Sequence, residues 1–458
     1  MMPEPTVDGL RDLSREELIA LLQRLFEEIR RLEAEIERLK PPAPTSRNSS
    51  QPPSRDWKVD RPQRRRRKKV GAKPGHPKAE RALVAQPDQI VEVWVEACAH
   101  CGTDLLDQVP ERVLRRQVTE LPQIKPAVIE TRQYEVVCPS CQRRQRGPLP
   151  AGLEAQRQFG PRLEALVTYL HHEHHLGFER LCGVLRDVFG TPLSEGGAVA
   201  ILKRAGAAAQ PEAQAIGECV RQSAVIASDE TGARVHGRTH WEWVFIGQGG
   251  AYHLIHRSRG QDVINEFMGE CRAEVWVSDC WKPQLNAPAE GHQLCLPHQV
   301  RALQGLLDQR PRLAWAREMQ ALFRAAMHLG KRRETLTVGG YHRQVRVVER
   351  RLDRLLARPV SGVGANLLKR YRKHRAHLLV FLHRPDVPSD NNACERALRP
   401  SVIHRKVLGS FRSDWGAPAY AALATVLHTA KRAGDNAFQK LLSLMGPPVL
   451  HFLQPSFA

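Results

Sequence analysis

Leu18, Leu22, Leu25, Ile29, Leu32, Ile36 and Leu39 recur at alternating spacings of four and three, which predicts a long amphipathic helix near the start of the chain. Ser14 followed by Glu17 offers that helix a capping box. Isoleucine at the a positions with leucine at d favours a two-stranded parallel coiled coil, so a homodimer or higher oligomer is expected. Farther along, the period shortens. SAVIAS (223–228), HWEWVFIG (His240 to Gly247), AYHLIH (Ala251 to His256) and AEVWVS (273–278) are short runs rich in β-branched and aromatic residues, and they predict strands. Gln-Gly-Gly between the second and third is a hairpin signal, and Gln261 to Gly269 reads as a short helix.

The order is therefore strand, strand, strand, helix, strand, with Asp229 ending the first strand and Asp279 ending the last. That order begins a ribonuclease-H-like fold, in which those two strands are neighbours. Glu230 adjoins Asp229, but successive side chains on a strand point to opposite faces, so the two do not share a site. Upstream, from about Phe159 to Cys219, three helices follow one another, the third with Ser194 as N-cap. They read either as a helix-turn-helix module or as an ordinary packing unit. HHEHH at His171 to His175 fails the HExxH zinc pattern because Leu176 stands where the second histidine belongs, which leaves a surface or interdomain histidine cluster.

A chain of 458 residues divides into about three or four units. A net charge of +20 and a pI near 9.9 make it a candidate polyanion binder. No run of eighteen apolar residues exists and MMPEPTVDGL lacks the regions of a signal peptide, so the expected place is the cytoplasm, at the nucleoid, without a membrane partner. From Pro41 a tether rich in Pro and Ser leads into a basic run, Arg64, Arg65, Arg66, Arg67, Lys68 and Lys69, suited to condensing on phosphates. Cys98, Cys101, Cys138 and Cys141 form two CxxC pairs, and such paired turns suit tetrahedral, structural Zn²⁺. Their wide separation requires an elongated hairpin built from VLRRQVTEL and AVIETRQYEVV.

Asp229, Asp279 and Glu395 are the candidate catalytic acids, because two Asp and one Glu suffice to hold Mg²⁺ (or Mn²⁺) for phosphodiester chemistry. Glu395 lies on a helix with Ser389, Asp390 and Asn391 as capping groups, and Arg399, Arg405 and Lys406 beyond it are candidates for holding a DNA backbone. The stretch between Asp279 and Glu395 is too long for a loop and reads as basic helices, opened by a Cys295/His298 pair that either contacts a ligand or packs near the site.

DET at Asp229, SDCW at Asp279, HQLCLPH at His292 to His298 and DNNACERALRP at Asp390 to Pro400 together resemble the insertion-sequence sixty-six family of bacterial DDE transposases. The zipper, NSSQPPS, GAKPGHP and the paired CxxC motifs resemble the same family in the same order. The resemblance implies a ribonuclease-H-like catalytic domain with Asp229, Asp279 and Glu395 as its acids. It further implies Mg²⁺-dependent cleavage at terminal inverted repeats and strand transfer into target DNA; whether element-encoded accessory proteins join as further partners is left open by the sequence. Two other classes stay open: a zinc-containing DNA-binding regulator with an inactive domain of that fold, and a metal-dependent nuclease that does not join.

The expected architecture is multidomain α+β. It comprises a leucine-zipper coiled coil (1–40), a disordered linker (41–88), a zinc-ribbon-like domain (89–150) and a helical domain with DNA binding as one reading (151–220). The ribonuclease-H-like α/β catalytic domain follows in two parts (221–285 and 389–435) around a helical insertion (286–388), then a tail (436–458).

Overall fold

The computed structural model of the protein describes residues 14–39, 45, 47–48, 81–150, 153 and 157–446. The basic run Arg64 to Lys69 lies outside them, as do the side chains of Ile36 and Leu39. Helix α1 (Arg15–Leu39) carries Leu18, Leu22, Leu25, Ile29 and Leu32 exposed along one apolar face, as an unpaired zipper strand would. Between 81 and 150 the only sheet among the described residues is a short antiparallel pair, β1 (Glu135–Val137) with β2 (Arg144–Arg146). The expected long hairpin between the knuckles does not form: of its two strands, only the end of the second is paired. Val113 and Val118 stay exposed, because no second layer covers them and strand propensity without burial does not hold a ladder.

Three helices follow, α2 (Pro161–His172), α3 (Phe178–Phe189) and α4 (Glu195–Arg221). Ser194 caps α4 as expected, its Oγ accepting the Gly197 N–H at 3.0 Å. The apolar stripe of α4, from Ala198 and Ile201 to Ile216 and Val220, is buried, and its later part packs onto the sheet.

The sheet has five strands: β3 (Val225–Val235), β4 (Arg238–Gly247), β5 (Gly250–His256), β6 (Ala273–Ser278) and β7 (Ala289–Leu294), in the order β5-β4-β3-β6-β7. β3, β4 and β5 are antiparallel; β6 lies parallel beside β3, as the element order predicts, and β7 is parallel to β6. Two differences from the sequence reading stand out. β3 runs past Asp229 to Val235, because His236 and Gly237, both left-handed at φ 49° and 73°, form a two-residue hairpin turn that extends the pairing with β4. Ala289–Leu294, assigned by sequence to the helical insertion, is a strand whose apolar run is broken by Glu290, Gly291 and His292.

Alternation along the strands gives the sheet two apolar faces. Helix α5 (Gln261–Met268) and the short α6 (Lys282–Leu285) precede β7; beyond it come α7 (Leu296–Gln309), α8 (Ala314–Lys331), α9 (Val338–Ala357), α10 (Ala365–Lys373) and α11 (Val380–His383). Ala227, Val244, Val275, Val277 and Leu294 face this insertion, meeting Leu303, Phe323 and Tyr371. Ile226, Trp243, Phe245 and Trp276 face the other way, toward α4, α5 and the last helices. α12 (Asn392–Leu408), which carries Glu395, instead packs Cys394 and Leu398 on the insertion side, and those last helices are α13 (Gly416–Ala433) and α14 (Ala437–Met445). The described residues are thus mixed α/β, with helices on both sides of a mixed sheet, and none of their helices is long and apolar enough to cross a membrane.

Candidate active site and zinc knuckles

Asp229 sits where β6 parts from β3: the parallel pairing reaches Ala227 opposite Val277, while Asp229 pairs only with Val244 of β4. It shares a face with Ala227, on the insertion side, and Glu230 points to the other. Asp279 follows β6 directly, its Oδ1 accepting the Trp281 N–H at 2.8 Å. Glu395 stands in the first turn of α12, and Asp390 caps that turn, its Oδ1 accepting the Asn392 N–H at 3.0 Å.

A clamp of buried groups brings the three elements together. The Asn391 side-chain amide donates to the Ser228 carbonyl at 2.8 Å, one residue before Asp229, and the Asn391 N–H meets Cys295 Sγ at 3.3 Å. The Cys295 N–H in turn donates to the Ser278 carbonyl at 2.8 Å, one residue before Asp279. The two bonds to carbonyls fix the backbone immediately ahead of Asp229 and Asp279, and the Asn391–Cys295 contact links them.

Burial dominates the electrostatics of the two aspartates. Burial pushes the Asp229 carboxyl well above the usual carboxylate range, and the negative charges of Glu230, Asp279 and Glu395 push the same way. Asp279 is also raised by burial, offset by the Trp281 N–H and by Arg259 and Arg370. Glu395 is turned aside: its Oε1 lies 3.6 Å from Arg301 Nη2 and 3.8 Å from His298 Nε2. Among the described residues no three His, Cys, Asp or Glu side chains close on one point to hold a metal ion. Their chemistry nonetheless suits a hard divalent cation, since crowded carboxylates offer oxygen ligands and lose their mutual repulsion to it.

Arg301 is a residue that sequence reasoning did not assign, and His298, read from the sequence with Cys295 as either contacting a ligand or packing near the site, lies beside Glu395. His298 Nδ1 lies 3.2 Å from Cys295 Sγ, and burial pushes the imidazole down to about 4, so it is neutral. The Cys295/His298 pair is thus a packing bridge beside Glu395. Arg259 was missed too. Its guanidinium lies 2.8 Å from Glu230 Oε1 and stacks between Trp241 and Trp281, 4.6 and 4.4 Å from the two rings. Gln284 Nε2 donates to Glu230 Oε2 at 2.8 Å, and the Ser228 hydroxyl bonds Gln284 in turn. The sequence signal was Trp281 in SDCW; the rest is set by long-range contacts.

Arg399 and Lys406 are exposed on α12, while Arg405 leans back onto β3, its Nη1 3.3 Å from where a Cβ on Gly232 would stand. Of the two readings of 171–175, surface or interdomain, the packing favours the second: His172 is buried against Tyr420, His171 meets His404, and His171 stacks on Phe178 at 4.9 Å, because α2 packs its end onto α12 and α13.

In the zinc region both CxxC turns are formed and nearly identical. The Cys98 N–H donates to the Thr103 carbonyl and the Gly102 N–H to the Cys98 carbonyl, both at 2.8 Å; Cys138 with Arg143, and Gln142 with Cys138, repeat this at 2.9 Å. Gly102 and Gln142 follow the second cysteine of each pair, both left-handed at φ 75° and 56°. The Thr103 hydroxyl, bonded to Cys101 Sγ, lowers that thiol to about 7, and backbone N–H groups lower Cys138. Such turns favour the thiolates that zinc needs. The structure forms each pair but does not bring the two pairs together.

Comparison with known proteins agrees with this layout. Residues 96–142, which hold all four cysteines, match the zinc-finger binding domain of transposase IS66, supporting a structural zinc. Residues 2–82 match a family of unknown function, DUF6444. An uncharacterized protein, y4jO of Sinorhizobium fredii, is 30% identical over 166 residues, 34% of this chain and 48% of that protein, so the chain spans about half the length of this curated relative. Residues 156–419, more than half of the chain and all three candidate acids included, match the Transposase IS66 family, and the chain belongs to that family.

Proposed function

We propose that the protein is a DDE transposase that cuts DNA at the ends of an insertion sequence and joins the freed 3′ ends to a target. The observation that carries this reading is that β3, the end of β6 and the start of α12 bring Asp229, Asp279 and Glu395 near enough for the charges of the last two to bear on the first, in a chain of this family. The strand order, with three antiparallel strands and then a parallel strand beside the first, supports a ribonuclease-H-like reading of the sheet.

Asp229, Asp279 and Glu395 would hold Mg²⁺ or Mn²⁺, which supplies Lewis acidity to a phosphodiester and activates the attacking water or 3′-hydroxyl. The chain's own part is placement. Asn391 and Cys295 hold the acids' backbones, the Trp281 N–H orients the Asp279 carboxylate, and Arg301 draws Glu395 to its side. Exposed Arg399 and Lys406 would take backbone phosphates, as would Arg64 to Lys69. The zinc knuckles and the apolar face of α1 would bring two DNA ends together at the chromosome, the first by binding DNA and the second by pairing two chains.

The test uses zinc-loaded protein, labelled DNA from the flanks of its own gene, and Mg²⁺. Wild type nicks and joins, whereas Asp229→Asn and Asp279→Asn drop both reactions to background and bind DNA within a few-fold of wild type. Nicking without joining would mark a nuclease, and binding alone a regulator.

A further inference from the structure

We propose that the outer face of Trp281 is a stacking platform for one unpaired nucleobase of the DNA end. The Trp281 ring is 39% exposed, and its own backbone N–H holds the Asp279 carboxylate, so it borders the place where a phosphate would lie. The Arg259 guanidinium lies over the Trp281 ring at 4.4 Å from its centroid and over the Trp241 ring at 4.6 Å, so one cation braces both indoles. Arg259 is already committed: Glu230 Oε1 takes its Nε and Nη2 at 2.8 Å, and buried Gln284 holds Glu230 from behind. The guanidinium therefore serves as the support of the ring.

Such bracing matters for binding. An exposed indole that is already fixed loses little freedom when a flat group settles on it, so more of the stacking energy appears as affinity. Lys282, the next residue, is exposed and puts a cation beside the ring. An aromatic face next to a positive charge fits a nucleobase with its phosphate, whereas an apolar protein partner would have to bury that charge. The base must be unpaired, because inside a duplex both of its faces are covered. Stacking is indifferent to base identity, so the platform would hold the end open without reading its sequence.

The proposal rests on the cleavage-site reading only for where the DNA lies. Its test is binding without divalent cation, using full-length zinc-loaded protein and two hairpin duplexes, one with a single unpaired 2-aminopurine and one fully paired. Wild type is expected to prefer the unpaired hairpin by on the order of tenfold and to quench its fluorescence. Trp281→Ala removes preference and quenching, Trp281→Phe restores most of both, and Arg259→Lys, which keeps the charge but not the planar support, weakens them. Equal binding of the two hairpins by wild type, or an undiminished preference in Trp281→Ala, overturns the platform. A preference that depends on Trp281 in a protein that never nicks DNA overturns the cleavage reading and leaves the platform standing.

Discussion

The region from 81 to 150 and the region from 157 to 446 solve the folding problem differently. In the second, both faces of the sheet are covered, and residues such as Trp243, Phe245, Phe323 and Tyr371 are removed from water. In the first, Val93, Val109, Val118 and Val128 are almost fully exposed, and order is confined to two tight cysteine turns and a short strand pair. Hydrophobic burial specifies one region; thiolate chemistry specifies the other. What destabilises each should differ accordingly.

Zinc removal is the largest expected effect, since structural zinc in small domains carries roughly 10–16 kcal/mol of apparent binding free energy that is folding free energy. Cys98→Ser combined with Cys138→Ser should lose about one equivalent of zinc per chain and expose 81–150 to protease, while the sheet region keeps its melting transition. Unchanged zinc content would refute the four-thiolate assignment.

Acid should act on the sheet region through its buried histidines. Burial pushes His253 and His404 down to about 3, His171 to about 4, and His428 well below the ordinary 6.5. Each stays neutral when folded but takes a proton on unfolding below 6.5, so its stabilising contribution is present above that pH and is lost as the pH falls. The expected loss is about 1 kcal/mol per histidine per pH unit below 6.5. Glu242, bonded to His253 at 2.9 Å and raised by burial to about 7, works in the opposite direction: its contribution is full below 4.5 and is lost as pH rises through 7. With His292 and His298, also pushed down to about 4 by burial, six histidines outnumber the four carboxylates that burial raises, Asp229, Glu230, Glu242 and Asp279, so thermal melts should show Tm falling from pH 6.5 toward 4.5. A flat profile would mean that these imidazoles are already charged in the fold.

Asn391→Ala should have the smallest effect on stability, about 1–3 kcal/mol from a buried carbonyl left without its donor. Because that bond ties the helix bearing Glu395 to the residue before Asp229, joining should fall by more than the stability loss explains, with zinc content unchanged. Joining that tracks stability alone would demote Asn391 to a packing residue.

The sheet was legible because its strands are apolar runs separated by turn signals, and the order β3, β4, β5, α5, β6 follows from SAVIAS, HWEWVFIG, AYHLIH and AEVWVS directly. β7 was not, since a glycine, a glutamate and a histidine interrupt AEGHQL and its strand character comes from pairing with β6. The knuckle hairpin was over-read for the converse reason: valine-rich segments have strand propensity, but nothing there buries them. At the candidate site, motif and position identified the acids, whereas Asn391, His298, Arg301 and Arg259 act across long sequence separations that no local period encodes. The Glu230 reading shows how far geometry alone reaches: alternation placed it on the opposite face, and only the folded chain supplied Arg259 as its partner.

Glu395 joins the two halves of the account, because it is delivered to the sheet by a helix that follows the whole insertion and is held there by Asn391 and Cys295. The most direct measurement is strand transfer by Glu395→Gln, with zinc-loaded protein, terminal DNA and Mg²⁺. The predicted result is joining at background with DNA binding retained. Joining at the wild-type rate would contradict the assignment of Asp229, Asp279 and Glu395 as one catalytic set.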